Sequence, residues 1–246
     1  MRLFCCFPAV LLFIAALPIS SMAGDFAQVH VFGFSKDGKH FAFEQYGVQD
    51  GSGFPYSEIF VLNVANDSWV KPSPFRRRDE IDDSNGYDED ALLSVARAEN
   101  RGTAQSLLAQ TGIAGKGLTV GHNPPTELNS DPLRLVVNPR QIVPPIDDPV
   151  EIRLVEKPIA TAECAPLAID ATQGFRLTLT YQGKTRVLNN DTSLPKSRRC
   201  PLRYRIERVV TYYPDNGNPV FAVLVQMESY GFEGPDGRFL AITGTL

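Results

Sequence analysis

The sequence predicts a mainly β fold: antiparallel sheets in a sandwich or an incomplete propeller-like arrangement, with one helical insertion near residues 86–112. Three observations predict it. Apolar and polar residues alternate with a two-residue period in both the N-terminal and C-terminal parts of the chain. Glycine and proline, 19 of each among 246 residues, supply many turns and few long helices. A single stretch carries helical spacing. The 43% hydrophobic content beside 21% charged residues suffices for a packed core and excludes wholesale disorder. A formal net charge of −4 lacks the basic excess of a nucleic-acid binder, so no nucleic-acid partner is expected.

Residues 1–23 read as a secretory signal. Arg2 supplies the positive start, Leu3 to Leu17 carry no charge, and Ser21-Met22-Ala23 offers small residues at a cleavage site. The apolar run falls short of the ~20 residues that span a bilayer, so no membrane span is expected after cleavage. The mature chain is then a single domain, 24–246, periplasmic or secreted. It retains Cys164 and Cys200, which an oxidising compartment would pair. Neither belongs to a C-x-x-C motif, which argues against a redox or metal role.

After cleavage, Gln28 to Phe34 alternates as a strand, and Ser35-Lys36-Asp37-Gly38 supplies a type I turn into a second strand, Phe41 to Tyr46. His30 and His40 would face one another across this hairpin. Beyond the loop Asp50-Gly51-Ser52-Gly53, Ser57 to Val64 is apolar on both faces, as in a sheet covered from two sides. Asp88, Glu89 and Asp90 place negative charge where a helix begins. Leu92, Ala96, Thr103 and Leu107 form its apolar face, Gly102 weakens or splits it, and Gly112 stops it. Residues 111–148 read as an irregular connector with short strands such as Leu133 to Val137.

The C-terminal half returns to β periodicity. Val150, Ile152 and Leu154 alternate with Glu151 and Arg153; Phe175, Leu177 and Leu179 alternate with Arg176, Thr178 and Thr180. Gly183 turns that strand into Thr185 to Leu188. Leu202, Tyr204 and Ile206 alternate with Arg203, Arg205 and Glu207, and the continuously apolar Val220 to Val225 reads as a central strand. Gly234-Pro235-Asp236-Gly237 reads as a turn repeating Ser35-Lys36-Asp37-Gly38, which places two similar turn motifs near opposite ends of the chain.

Two resemblances follow from these motifs. Phe34-Ser35-Lys36-Asp37-Gly38, continuing to Phe41-Ala42-Phe43 and Glu58-Ile59-Phe60-Val61-Leu62, resembles one blade of TolB-like β-propellers. A longer likeness rests on Gly33-Phe34-Ser35, Phe41-Ala42-Phe43-Glu44, Tyr46-Gly47 and Asp50-Gly51-Ser52-Gly53-Phe54-Pro55-Tyr56. Gly231-Phe232-Glu233-Gly234-Pro235-Asp236 with Arg238-Phe239 completes it, and Arg199-Cys200-Pro201 with Tyr204 fits more loosely. In these residues the chain resembles the predicted secreted bacterial proteins called domain of unknown function 2259. That resemblance implies export from a bacterial cell and brings no activity with it.

Catalytic signatures are sparse. There is no G-x-S-x-G elbow, and Ser35 begins a turn rather than a strand-to-helix elbow. The three histidines, His30, His40 and His122, lack metal-ligand spacing, so no metal and no cofactor is expected. Asp82 to Asp90 is acidic, but aligned on Gly86 it puts Ile81 and Leu92 at the key positions of an EF-hand loop. A solvated loop and helix start explains it better. Two basic clusters, Arg76-Arg77-Arg78 and Lys196-Ser197-Arg198-Arg199, together with Arg203 and Arg205, suit either a solvated surface or anionic glycans and lipid head groups.

These readings describe an exported non-catalytic binding protein of the bacterial envelope, its partner a protein or a glycan. No residue is assigned to catalysis. The ligand-binding candidates are Glu44, Tyr46, Asp50, Tyr56, Phe232 and Glu233, which lie in or beside the glycine-rich loops where function collects. Phe54, Tyr56, Tyr230 and Phe232 would form an exposed aromatic patch. The alternative is a carboxylate-dependent hydrolase acting on envelope or extracellular polymers, which would draw on Glu44, Asp50, Glu228 or Glu233.

Overall fold

The architecture was obtained as a computed structural model that describes residues 24–82, 86–164, 172–231 and 234–246. Residues 1–23, expected from the sequence to be a secretory signal, together with Asp83-Ser84-Asn85, Phe232 and Glu233, lie outside the described residues. The aromatic hairpin forms as expected: β1 (Gln28–Ser35) turns into β2 (His40–Val48), which pairs with β3 (Pro55–Asn63). Gly38 takes the left-handed conformation, φ +72°, and its amide donates to the Ser35 carbonyl at 3.0 Å. β4 (Ser68–Trp69) and β5 (Phe75–Arg78) both pair along the free edge of β3.

α1 (Glu89–Gln110) then lies against the outer face of this sheet, capped by Asp88, whose carboxylate accepts from the Ala91 amide at 3.1 Å. It runs unbroken through Gly102, which lies on the open side of the helix with no atom near its missing Cβ. The packed stripe differs from the expected one: Ala96, Asn100, Ala104 and Leu107 are buried, and Thr103 is exposed. Alanine at 96 and 104 lets the helix axis approach the sheet closely. Gly112, with φ +65°, follows the last turn as expected.

The supposed connector carries three strands. β6 (Ile113–Lys116) returns to β1, and β7 (Leu118–His122) joins a different sheet. Gly117, between them, has φ +111°, and a Cβ there would press on Phe34 and Val210 from two layers at about 3 Å. β8 (Arg134–Val137), β9 (Val150–Pro158), β10 (Gln173–Tyr181) and β11 (Lys184–Asn190) form a four-stranded antiparallel sheet in the order β11-β10-β9-β8. β12 (Pro201–Tyr212), β13 (Val220–Tyr230) and β14 (Pro235–Thr245) complete the other, in the order β14-β13-β12-β7.

β13 dictates how the three sheets stack. Phe221, Val223, Val225 and Met227 face the β8–β11 sheet, packing with Ile152, Leu154, Phe175, Leu177 and Leu179. Val220, Ala222 and Leu224 face the N-terminal sheet, packing with Phe34, Phe41, Phe43 and Phe60. The layers are therefore helix, N-terminal sheet, central sheet and outer sheet, and none of the sheets closes into a barrel. The mainly β class and the antiparallel pairing are as the sequence predicts. The sandwich gains a third sheet, because a strand apolar on both faces needs cover on both.

Three local expectations are corrected. His30 stands opposite Glu44 and His40 opposite Asn63, so the two histidines do not face one another. Asp236 and Gly237 do not form a turn; they lie within β14, paired with Ser229 and Glu228. Gly237 lacks a side chain because the Phe26 ring occupies that space, 2.4 Å from where its Cβ would be. In β12 a bulge between Ile206 and Arg208 shifts the alternation, so Glu207 is buried rather than exposed.

Cys164 and Cys200 form the expected disulfide, with a Cα–Cα distance of 5.7 Å and 36 residues of separation. It ties the segment after β9 to the first residue before β12. Replacing both cysteines by serine is expected to lower unfolding stability by about 3–4 kcal/mol through loop-closure entropy, measured by urea denaturation without reductant. An unchanged midpoint would show that the intervening segment is already constrained in the unfolded chain.

Candidate functional site

Glu44, proposed from the sequence as a ligand contact, is fully buried between the N-terminal sheet and α1. Arg97 donates to both of its oxygens at 3.2 and 3.1 Å, Arg101 donates to Oε2 at 2.5 Å, and Ser57 donates to Oε1 at 3.0 Å. The two arginines are one helical turn apart and so emerge on one side of the helix. Asn100, between them, donates to the Ser57 carbonyl and hydroxyl, both at 2.9 Å. Burial alone would push the Glu44 carboxyl up, but the Arg97 and Arg101 guanidiniums hold it below its ordinary value. This is a latch holding the helix to the sheet. Tyr46 belongs to it as well, its ring lying 3.3 Å below the Arg97 guanidinium carbon.

Tyr56, a second candidate, is also buried. Its hydroxyl donates to Asp25 Oδ1 at 2.8 Å, and the Arg238 guanidinium sits 4.5 Å above its ring while pairing with Asp25 Oδ2 at 2.5 Å. Burial pushes the Tyr56 phenol far up, so it serves as a neutral donor. Ala27 and Gly237 complete the tie through backbone bonds of 3.0 and 2.9 Å on either side of the Phe26–Gly237 bridge. The start of the described chain is thereby fastened to the last strand.

The Arg238 tie forms part of the wall of a cleft of about 460 Å³ between the N-terminal sheet and the edge strand β14, within the range of small-ligand sites. Its floor includes Gln45, which accepts from the Phe239 amide at 2.7 Å and donates to Glu58 at 2.6 Å. One wall is aromatic. Phe60 and Trp69 line it, with centroids 5.8 Å apart and Trp69 46% exposed, and behind them the buried rings of Phe43, Phe41 and Phe34 continue the row into the core at 4.8, 6.4 and 4.8 Å. Arg76 lies 5.8 Å from the Trp69 ring and bonds Glu58 at 3.0 Å.

The opposite wall comes from the turn just before the second cysteine. A 3-10 turn, Lys196–Arg198, points Arg198 inward, where it pairs with Asp191 at 2.5 Å and lies over the Phe175 and Tyr204 rings. Lys196, Ser197 and Arg199 line the cleft instead. Arg199 has φ +53° and ψ −125°, a combination far from the usual left-handed well and costing on the order of 1–3 kcal/mol. Buried Arg198 before it and the disulfide after it hold it there. Among the described residues, the Lys196 and Arg199 side chains have no hydrogen bond or ion pair. Asp236 also lines the cleft, and burial raises its carboxyl above the ordinary range.

The two basic clusters thus meet, but not whole. Arg77 pairs with Asp79 and with Glu99 of α1, Arg78 lies over Phe54, and Arg203 pairs loosely with Glu228 at 3.6 Å. Asp50 lies away from the cleft, in a shallow hollow with Gly24, Tyr87 and Glu89, and its Oδ2 is buried without a hydrogen bond. Tyr230 is half exposed while Tyr56 is buried, so the expected four-residue aromatic patch does not assemble among the described residues. Ser35 is a turn clamp, donating to Asp37 at 2.7 Å and accepting from the His40 amide at 3.0 Å. Among the described residues no cluster of three metal-ligating side chains forms. Nor is any described helix long and apolar enough to cross a membrane. Trp69 and Arg238 were not picked out from the sequence; the signal at Trp69 is that it is the chain's one tryptophan, in a two-residue strand after a polar turn.

Comparison with known proteins places the chain in one family. A family model described as predicted secreted protein (DUF2259) matches residues 42–245, and the chain belongs to that family. No curated protein and no solved structure gave a significant match.

The latch is testable through pH and mutation. Removing both guanidiniums (Arg97→Ala with Arg101→Ala) leaves a buried carboxylate unpaired and is expected to cost about 3–5 kcal/mol. Glu44→Gln, which removes the charge, should cost less. Because Glu44 is held below its ordinary value, its contribution is complete above the unfolded value of about 4.3 and is lost as pH falls through the folded one. Denaturation profiles should therefore show a smaller acid-side loss in Glu44→Gln than in the parent chain. Equal acid sensitivity would remove Glu44 as the responsible group.

Proposed function

We propose that this chain is an exported, non-catalytic binding protein of the bacterial envelope, acting in the periplasm or outside the cell, that takes its ligand in the cleft below Trp69. One observation carries this reading: a solvent-exposed tryptophan shares a recess with Lys196 and Arg199, whose side chains make no hydrogen bond or ion pair among the described residues, Arg199 feeling only the field of Asp236. Both cations are solvent-exposed, and a ligand entering the recess would take the place of the water that solvates them. At a binding site they are the groups a ligand satisfies.

The hydrolase reading keeps one supporting observation. Glu58 and Asp236 both line the cleft, and burial pushes the Asp236 carboxyl upward, the direction in which a general acid is tuned. Against it, both Glu58 oxygens are already engaged, by Gln45 and by Arg76. Glu44, one of the four acids the sequence offered for it, is engaged by Arg97 and Arg101 of the helix.

The chain's one tryptophan makes the site self-reporting. Titrating the mature protein with soluble envelope polysaccharide should change Trp69 fluorescence saturably while the number of reducing ends stays constant. New reducing ends that vanish in Asp236→Asn would establish the hydrolase instead. Fluorescence that never responds, with the polymer still retained by the protein, would move the binding site elsewhere.

A further inference from the structure

We propose that the ligand of this cleft is an acidic saccharide, its sugar ring stacked on Trp69 and its carboxylate or sulfate held between Lys196 and Arg199. This rests on the binding reading and adds the ligand's class.

The two walls ask for different chemistry. A pyranose ring presents a row of weakly positive C–H bonds on one face, which suits the electron-rich face of an indole. Trp69 leans on Phe60 at a tilt and has the Arg76 guanidinium 5.8 Å from its ring centre, yet it stays 46% exposed, so indole surface remains open to a sugar. Across the recess, Arg199 offers a planar fork of donors and Lys196 a compact charge, the pair of donors that binds an oxyanion well. The other cations of the cleft are already committed, Arg76 to Glu58 and Arg238 to Asp25. The anion therefore falls to Lys196 and Arg199. The backbone of Arg199 lies between buried Arg198 and disulfide-bonded Cys200, so the point from which its side chain reaches into the cleft is set by the fold.

A lipid head group fits less well. Among the described residues, Trp69 is the one strongly exposed apolar side chain that lines the cleft, while the exposed aliphatic side chains Leu128, Val143 and Ile146 lie elsewhere, so no exposed aliphatic cluster stands beside it to enter a bilayer. An acidic peptide would satisfy the cations but has no particular use for the tryptophan face.

The test is a fluorescence titration of the mature protein with a galacturonic acid trisaccharide and a chondroitin sulfate tetrasaccharide. A neutral galactose trisaccharide, a glutamate hexapeptide and phosphatidylglycerol vesicles are run beside them. At least one acidic saccharide is expected to bind tenfold or more tightly than every comparison probe, and to weaken with added salt. Lys196→Ala with Arg199→Ala, both exposed changes, should remove that preference while circular dichroism and the melting temperature stay unchanged. Trp69→Ala, followed by calorimetry, should weaken the acidic and the neutral sugar alike. Equal affinity for neutral and acidic sugars overturns the acidic class and leaves the cleft as a binding site. Preference for the peptide or the vesicles overturns the saccharide. An unaltered preference in the Lys196/Arg199 double variant overturns the placement of the anion, and silence toward every probe overturns both this inference and the binding reading.

Discussion

Everything on the N-terminal side of the molecule depends on one buried carboxylate. Glu44 sits in the middle strand of a sheet with no exposed surface, a position where an unpaired charge would be expelled or protonated. It is kept ionised because α1 brings two guanidiniums to it and β3 adds a hydroxyl. The helix has little apolar surface of its own; its buried residues are two alanines, an asparagine and one leucine. Burial at that modest scale would hold a 22-residue helix weakly. The ion pairs therefore set the helix's register on the sheet, since a shift of one residue would leave Glu44 unpaired. Breaking such a buried cluster by removing one partner is costly even where the assembled cluster contributes little net stability.

The neighbouring residue does the same on the other face. Gln45 points opposite to Glu44, as successive strand residues must, and there it accepts from the Phe239 amide of the central sheet while donating to Glu58. Two consecutive polar residues of β2 thus fix both of its interfaces. The cleft follows from this arrangement. Gln45 joins the N-terminal sheet to the edge strand β14, and the cleft lies where it does so, between the sheet's outermost rungs, Phe60 and Trp69, and the turn that precedes Cys200.

What was legible in the sequence was what is local. The alternation in 28–46, 150–154 and 175–180, the Asp88 cap, the Gly112 stop and the pairing of the two cysteines all depend on near neighbours or on compartment. The stacking was only half legible. The doubly apolar runs at 57–64 and 220–225 announced cover on both faces, but nothing in them names the covering layers. Turn motifs misled for the same reason. Pro235-Asp236-Gly237 has the composition of a turn, yet Gly237 is required by Phe26, a contact 211 positions away that no local pattern contains. The spacing of Arg97 and Arg101 on one helix face was present in the sequence but had no visible partner.

The basic clusters show why composition alone could not locate the site. Each cluster divides by the direction of its side chains. Along β5, Arg76 turns toward Trp69 while Arg77 turns back to Glu99 on the helix. In the turn before Cys200, Arg198 is taken into the core by Asp191, Phe175 and Tyr204, and Lys196 and Arg199 remain outside. Counted as charges, the six cations of Arg76–Arg78 and Lys196–Arg199 form two solvated patches. Sorted by partner, they separate into groups that build the fold and groups the fold leaves unpaired. Of these cations, Lys196 and Arg199, brought to one recess beside the molecule's single tryptophan, are the ones whose side chains make no hydrogen bond or ion pair among the described residues, and buried Arg198 anchors the turn that carries them.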